Sequence, residues 1–247
     1  MTRIVLVTGG TSGLGRAVAE RFAADGATVL VTGRHAGTVD RTAKELGVHG
    51  LVCDATDPAQ VAALGTRLDA FAAPGGRGRL DVLVNAAGGL PEPASGGGSP
   101  LETLLAQWLS SLAQNLLGAV LTTAAVQDRL TPGSSVIGIG SIGAERRGGS
   151  YGAAKAALGS WNASLSAELA PRGVTCNLIS AGFVAGTNFF RGGLTDERRA
   201  ALVEETQNKR PGTPDDIAQT AHFLASPGAR HITGQTIHVN GGAHTTR

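Results

Sequence analysis

The chain is poor in the residues that most often carry chemistry. Its 247 residues include one tyrosine, two tryptophans, one methionine and two cysteines. Only three lysines occur, Lys44, Lys155 and Lys209. Cys53 and Cys176 are far apart, each at a strand-like run, which argues against a disulfide framework and for buried free thiols. The six histidines show no HExxH or CxxC/HxxxH spacing, so the sequence predicts no protein-bound metal. Charged residues make up 16% of the chain and the formal net charge is +2. The paired arginines at 146–147 and 198–199 are too short to form a basic tract. That gives no electrostatic case for nucleic acid or an anionic membrane as partner. The opening MTRIVLVTGG is apolar for too few residues to be a signal-peptide core or a membrane span. A cytoplasmic protein is the default expectation.

What is present is a rhythm. Short β-branched runs alternate with longer helical patterns. IVLVT (4–8), TVLVT (28–32), VHGLVC (48–53), DVLVN (81–85), SVIGIG (135–140), VTCNLIS (174–180) and QTIHVN (235–240) read as strands. Several are apolar without alternation, the signature of strands covered on both faces. Helices are expected over 14–26, 37–46, 57–73, about 101–130, 151–170 and 214–226. Repeated βα units predict an α/β, doubly wound, mainly parallel seven-stranded sheet with helices on both faces, and no long linker divides the 247 residues. Two connections break the rhythm. GGLPEPASGGGSP (88–100) cannot be a regular element. The stretch from about 181 to 212 combines an apolar part, including Phe189 and Phe190, with a charged helix, and reads as a substrate lid. The two phenylalanines are candidates for either pocket lining or core packing.

TGGTSGLG (8–15) joins the first strand to the first helix. Gly9, Gly13 and Gly15 allow a sharp turn and let a pyrophosphate approach a helix N-terminus. In this position they predict a dinucleotide site. A carboxylate ending the second strand would bind the ribose 2′-hydroxyl of NAD, yet no acid occurs from Ala27 to Val39. Arg34 stands there instead, and a guanidinium would pair with the 2′-phosphate of NADP. Asp54 could accept a hydrogen bond from the adenine amino group, or cap the helix that begins near Asp57.

The one tyrosine, Tyr151, precedes Lys155 by four residues in SYGAAKAALGSW, a spacing that shares one helix face. A neighbouring ammonium is expected to pull the phenol's pKa down toward neutrality. TGGTSGLG, NAAG (85–88), Ser141 closing the fifth strand and YGAAK (151–155), in that order, resemble the short-chain dehydrogenase/reductase family, and 3-oxoacyl-carrier-protein-reductase-like ketoreductases within it. The likeness runs to GQTIHVNGG (234–242). It implies an NADP(H)-dependent Rossmann oxidoreductase with Tyr151 as proton donor, Lys155 holding the nicotinamide ribose and Ser141 polarising the substrate oxygen. Asn115 would support a water-linked proton relay, or simply satisfy backbone groups. The implied cofactor contacts are Gly9, Thr11, Ser12, Gly13, Leu14 and Gly15 in the loop. Arg34, Asp54 and Ala55 follow the second and third strands, Asn85, Ala86 and Gly88 the fourth, and Gly182, Val184 and Thr187 the sixth, with Tyr151 and Lys155 on the helix after the fifth. A homotetramer or dimer is expected. Small residues Ala153, Ala154, Ala157 and Gly159 would admit a close helix neighbour.

Two features depart from the family. Ser141 precedes Tyr151 by only ten residues, so either the intervening loop is trimmed or the serine is misassigned. Ser134 and Ser135, at the start of the fifth strand, should point away. Ala181 stands where the family has proline, which predicts a less rigid turn. A trimmed loop would suit a bulky, natural-product-like ketone. A 3-oxoacyl thioester or a cyclic imine or iminium remains an alternative substrate, and Arg129 and Arg172 are isolated candidates for an acyl-carrier contact. A non-catalytic NADP-binding sensor is the alternative of another class.

Overall fold

Both faces of the central strands are covered, which explains their continuous apolarity. In the computed structural model, which describes residues 2–71, 78–91, 98–146 and 148–246, β1 (Ile4–Thr8) sends Val5 and Val7 to one face and Ile4 and Leu6 to the other. The first face is packed by α1 (Gly13–Ala24) and α8 (Pro214–Leu224) through Val18, Phe22, Ile217 and Ala221. The second is packed by α3 (Pro58–Asp69), α5 (Gly118–Val126) and α6 (Gly149–Leu169) through Leu64, Leu68, Val126, Leu165 and Leu169. Each such fully buried large side chain is worth about 1.5–3 kcal/mol of hydrophobic transfer.

The remaining strands are β2 (Thr28–Gly33), β3 (His49–Val52), β4 (Leu80–Asn85), β5 (Leu130–Ser141), β6 (Thr175–Ala181) and β7 (Thr236–Val239). All pair in parallel, in the order β3-β2-β1-β4-β5-β6-β7. The order reverses between β1 and β4, so a crevice opens at their carboxyl ends, the usual place for a ligand in this architecture. Helix α2 (Ala36–Leu46) links β2 to β3, and α7 (Asp196–Glu204) lies within the long connection after β6.

The structure revises the sequence expectation in two elements. The helix expected over 101–130 is α4 (Pro100–Leu112), a π-helical turn Ala113–Leu117, and α5. No proline marks this break, so nothing in the local pattern signals it. β5 begins at Leu130, five residues earlier than its apolar run, because Leu130 pairs with Leu80 before the register shifts at Val82. Residues 72–73 of the expected third helix, 92–97 of the Gly/Pro/Ser-rich connection and Arg147 lie outside the described residues.

Candidate active site

The crevice is a cavity of about 1170 Å³. Its floor is the glycine loop. A Cβ on Gly15 would stand 2.4 Å from the Gly9 carbonyl oxygen, and one on Gly9 2.8 Å from Ala87 Cα, so the turn closes only with glycine at both positions. Helix α1 starts after Ser12 with no side-chain cap and no acid in its first turn. Helices α3, α4, α7 and α8 are all capped, by Asp57, Ser99, Thr195 and Thr213. The α1 N-terminus therefore keeps uncapped amides facing the cavity, a fit for a phosphate group. Thr11, Ser12, Gly13 and Leu14 line it, as do Ala55, Ala86 and Gly88. The sequence analysis passed over Thr8, whose Oγ1 accepts from Ala86 N and Ala87 N at 3.2 Å each and staples the ends of β1 and β4 together. A hydroxyl closing an otherwise apolar strand was the available signal.

Arg34 is exposed at the cavity wall, beside the start of α2, which also has neither a side-chain cap nor a first-turn acid. Asp54 lines the cavity while its Oδ1 accepts from Thr56 N (2.9 Å) and Thr56 Oγ1 (2.7 Å). The cap of α3 is Asp57, accepting from Ala59 N at 2.9 Å, which decides the open question about Asp54 against capping.

At the other end of the cavity, Ser141, Tyr151 and Lys155 come together. The short loop reaches because glycines let it lie flat on α6. A Cβ on Gly152 would be 2.4 Å from the Gly143 carbonyl oxygen, and one on Gly148 2.5 Å from it. Ser141 Oγ accepts from Gly143 N at 3.1 Å and caps the 3-10 turn Ile142–Ala144. Its hydroxyl is near enough to the Tyr151 phenol to favour the ionised phenol slightly. Ser141 and Tyr151 thus line the same cavity across this short loop. Ser134 and Ser135 point elsewhere, to Leu80 O and to Thr175 and Leu224 O.

The electrostatics differ from the sequence expectation. Lys155 is buried and donates from Nζ to Ile139 O at 2.8 Å, with Nζ 5.8 Å from the Tyr151 ring centre. Desolvation pulls its amine down to about 8. Burial pushes the Tyr151 phenol up to about 12, against the smaller lowering from the Ser141 hydrogen bond. The lysine does not bring the phenol toward neutrality here, because desolvation outweighs every other influence on it.

Two asparagines expected at the site stand behind its wall. Asn85 is buried, and its Nδ2 donates to Thr123 Oγ1 at 3.0 Å. Asn115, in the π turn, accepts from Gly89 N (2.9 Å) and donates to Gly89 O (3.0 Å) and Ser111 O (3.1 Å). Its side chain is committed to backbone groups and holds the loop after β4 in place.

Gly182, Val184 and Thr187 line the third side. Ala181 stays in the ladder, paired with Val239 and Ser141, and Gly182 N donates to Val239 O at 3.1 Å, so sheet pairing holds this turn without proline. The segment that follows is pinned at both ends, where Gly212 N donates to Phe183 O and Ala185 N to Gly212 O, each at 2.9 Å. Phe189 meets Tyr151 edge-on with ring centres 5.5 Å apart, and Phe190 meets Phe189 at 5.0 Å. Both line the cavity. Arg191, which the sequence did not single out, donates to Leu90 O at 2.8 Å across the mouth. The arginines considered for an acyl carrier are engaged elsewhere. Arg129 pairs with Asp69, and Arg172 donates to Gln127 O and Leu130 O at 2.8 and 3.0 Å. Cys53 and Cys176 are free, buried thiols that burial raises to about 11 and about 12, so neither offers a thiolate at neutral pH.

A parallel sheet with this order, a glycine cradle at its switch point and a Ser–Tyr–Lys group across the cavity define a nucleotide-binding α/β oxidoreductase fold. Comparison with known proteins agrees. The family model described as enoyl-(acyl carrier protein) reductase matches residues 9–244. The chain is 34% identical over 254 residues to the 3-oxoacyl-(acyl-carrier-protein) reductase FabG of Escherichia coli, covering 98% of this chain and 97% of the relative. It is 34% identical over 255 residues to the short-chain reductase protein NovJ of Streptomyces niveus, covering 97% and 93%. A short-chain dehydrogenase from Burkholderia cenocepacia, solved in complex with NADP, superposes with a TM-score of 0.82 at 30% identity, covering 98% of this chain and 97% of that one. The chain belongs to the short-chain dehydrogenase/reductase family, whose oxidoreductases use a nicotinamide cofactor.

Proposed function

We propose that the protein is an NADPH-dependent reductase of a bulky ketone, with Tyr151 as proton donor. The observation that carries this reading is the cavity itself, with a phosphate-fitting glycine cradle at one end and Ser141, Tyr151 and Lys155 at the other. The cradle and the α1 N-terminus would hold the pyrophosphate. Arg34, with the uncapped start of α2, would hold a 2′-phosphate, and Lys155 and Thr187 the nicotinamide half. When bound, the reduced cofactor supplies a hydride to the substrate carbon. The Ser141 hydroxyl donates to the carbonyl oxygen and polarises it. Tyr151 delivers its phenolic proton to the same oxygen as negative charge develops there. A phenol raised to about 12 stays protonated at neutral pH, which suits a donor in reduction. Phe189, Phe190 and the tyrosine ring present an aromatic wall, and Arg191 ties the lid segment to the loop after β4. These features favour a broad apolar substrate over a small linear ketone.

A 3-oxoacyl thioester is the second reading, favoured by the likeness to FabG. Oxidation of NADPH against multi-ring ketones, 3-oxoacyl thioesters, cyclic imines and small linear ketones, with NADH as control, separates these. Turnover of multi-ring ketones with NADPH is the expected result. Turnover confined to thioesters supports the second reading. Tight NADPH binding with no turnover across the panel contradicts both and favours a sensor.

The subunits are proposed to associate. Helix α4 exposes Leu101, Leu104, Leu105, Trp108 and Leu109, and α6 presents Ala153, Ala156 and Ser160 outward. The run Pro100–Arg129 is apolar and long enough to cross a membrane by length and composition alone. Its contacts with α3 and α6 and the small outward residues of α6 favour a second copy of the chain as the covering surface.

A further inference from the structure

Folding assembles a cluster that sequence spacing did not reveal. Glu145 follows the 3-10 turn capped by Ser141, His238 lies on the edge strand β7, and His244 is in the tail beyond it. One ligand atom from each lies within 4.8 Å of the other two. None of the three lines the cavity described above. We propose that Glu145, His238 and His244 form a binding site for a zinc-class divalent cation, with water completing the coordination.

Two imidazoles and a carboxylate are a fitting donor set for zinc, which takes nitrogen and oxygen ligands at about 2.0–2.2 Å. Such ligand atoms stand roughly 3.3 Å apart around a tetrahedral ion, so the set closes on an ion by side-chain movement, for which the exposed Glu145 has room. A second observation is independent of the cluster's composition. His238 Nδ1 is buried and has no hydrogen-bond partner among the described residues. Buried polar nitrogens are nearly always paired, so this imidazole has bonding capacity that the described residues leave unused. The two imidazole rings are 5.2 Å apart and tilted by 44°, converging without stacking.

The scaffold around the cluster is ordered in the way a ligand site requires. His238 is fixed in β7 opposite Ser180. Asn240 holds the tail, accepting from Gly242 N at 2.9 Å and His244 N at 3.4 Å and donating to His244 O at 2.9 Å. Arg146, next to Glu145, reaches across to the Ala243 carbonyl and pairs with Glu205. A bound cation would cross-link the carboxyl-terminal tail to the loop that carries Ser141.

The test is zinc titration of the metal-free, tag-free protein against a competing chromophoric chelator. Wild type is compared with Glu145→Gln, His244→Ala and the control His231→Ala, an exposed histidine outside the cluster. NADPH binding by each variant serves as the check on folding. The expected result is one zinc per chain for wild type and the control, with affinity reduced about tenfold or more in both cluster variants while NADPH binding persists. Absence of stoichiometric zinc binding in wild type, or equal zinc affinity in wild type and His244→Ala, would overturn the proposal. Neither outcome depends on the assigned reductase activity.

Discussion

Tyr151 and Lys155 show how burial governs a residue's chemistry here. The lysine's amine titrates near 8 in the folded chain instead of near 10.5, because its ammonium is removed from water with one carbonyl as partner. A base with a depressed folded pKa binds fewer protons folded than unfolded between those values. Stability therefore rises with pH across the window from about 8 to 10.5. Lys155→Met removes this dependence. Urea midpoints measured without nucleotide at pH 7, 8.5 and 10 are expected to show wild type gaining relative to the variant, by on the order of 3 kcal/mol over the full window. Tyr151 acts in the opposite sense only above pH 10, where its raised folded pKa costs stability. Parallel pH profiles for the two proteins would show that Lys155 is solvated. Arg34 gives a second test at this scale. Loss of a charge-assisted bond to phosphate costs about 1.5–3 kcal/mol, so Arg34→Ala should weaken NADPH binding about 10- to 100-fold and leave NADH binding unchanged. Equal effects on both cofactors would remove the 2′-phosphate role.

At the scale of the element, the loop between β5 and α6 is decisive. A short loop suffices because Gly148 and Gly152 let the Gly143 carbonyl rest against the helix. Gly152→Ala forces a backbone shift and is expected to cost about 1–3 kcal/mol by overpacking, with lower kcat as Ser141 moves off Tyr151. Gly159, on the same helix, has only Leu178 Cδ2 near, at 3.9 Å. Gly159→Ala should be neutral or stabilising by about 0.5–1 kcal/mol. Thermal denaturation and kcat of the two variants check both statements, and a Gly152→Ala protein as active and stable as wild type would contradict the loop account. Legibility varied between elements for physical reasons. Strands and helices with clear apolar runs and punctuating Gly or Pro were readable, and so were the glycine loop and the Tyr151–Lys155 pair. The π turn at Asn115 was not, since one extra residue in a helix leaves the local pattern almost unchanged. Nor were the committed side chains of Asn85 and Asn115, because hydrogen-bond partners 26 or 38 residues away leave no local trace. The direction of the tyrosine's shift was missed for a related reason, as spacing reports neighbours but not desolvation.

At the scale of the whole molecule, the sheet brings residues from the ends of β1, β4, β5 and β6 to one crevice, and the segment pinned at Phe183 and Gly212 lines it through Phe189, Phe190 and Arg191. Among the described residues, the apolar outer face of α4 is a large part of the surface that a lone chain leaves unexplained. Leu101 is 77% exposed and Leu109 57%. Leu105→Glu is expected to shift the protein toward smaller species in analytical ultracentrifugation, with NADPH binding retained. An unchanged distribution would assign the interface elsewhere. The central claim, that Tyr151 gives the proton in carbonyl reduction, is tested most directly by Tyr151→Phe. The phenylalanine keeps the ring that packs against Phe189 and removes only the hydroxyl. NADPH affinity by fluorescence and single-turnover NADPH oxidation with an accepted ketone are measured side by side. The account predicts unchanged cofactor affinity with a rate about 10²- to 10⁴-fold lower. A variant that turns over at the wild-type rate would show that the proton comes from another group.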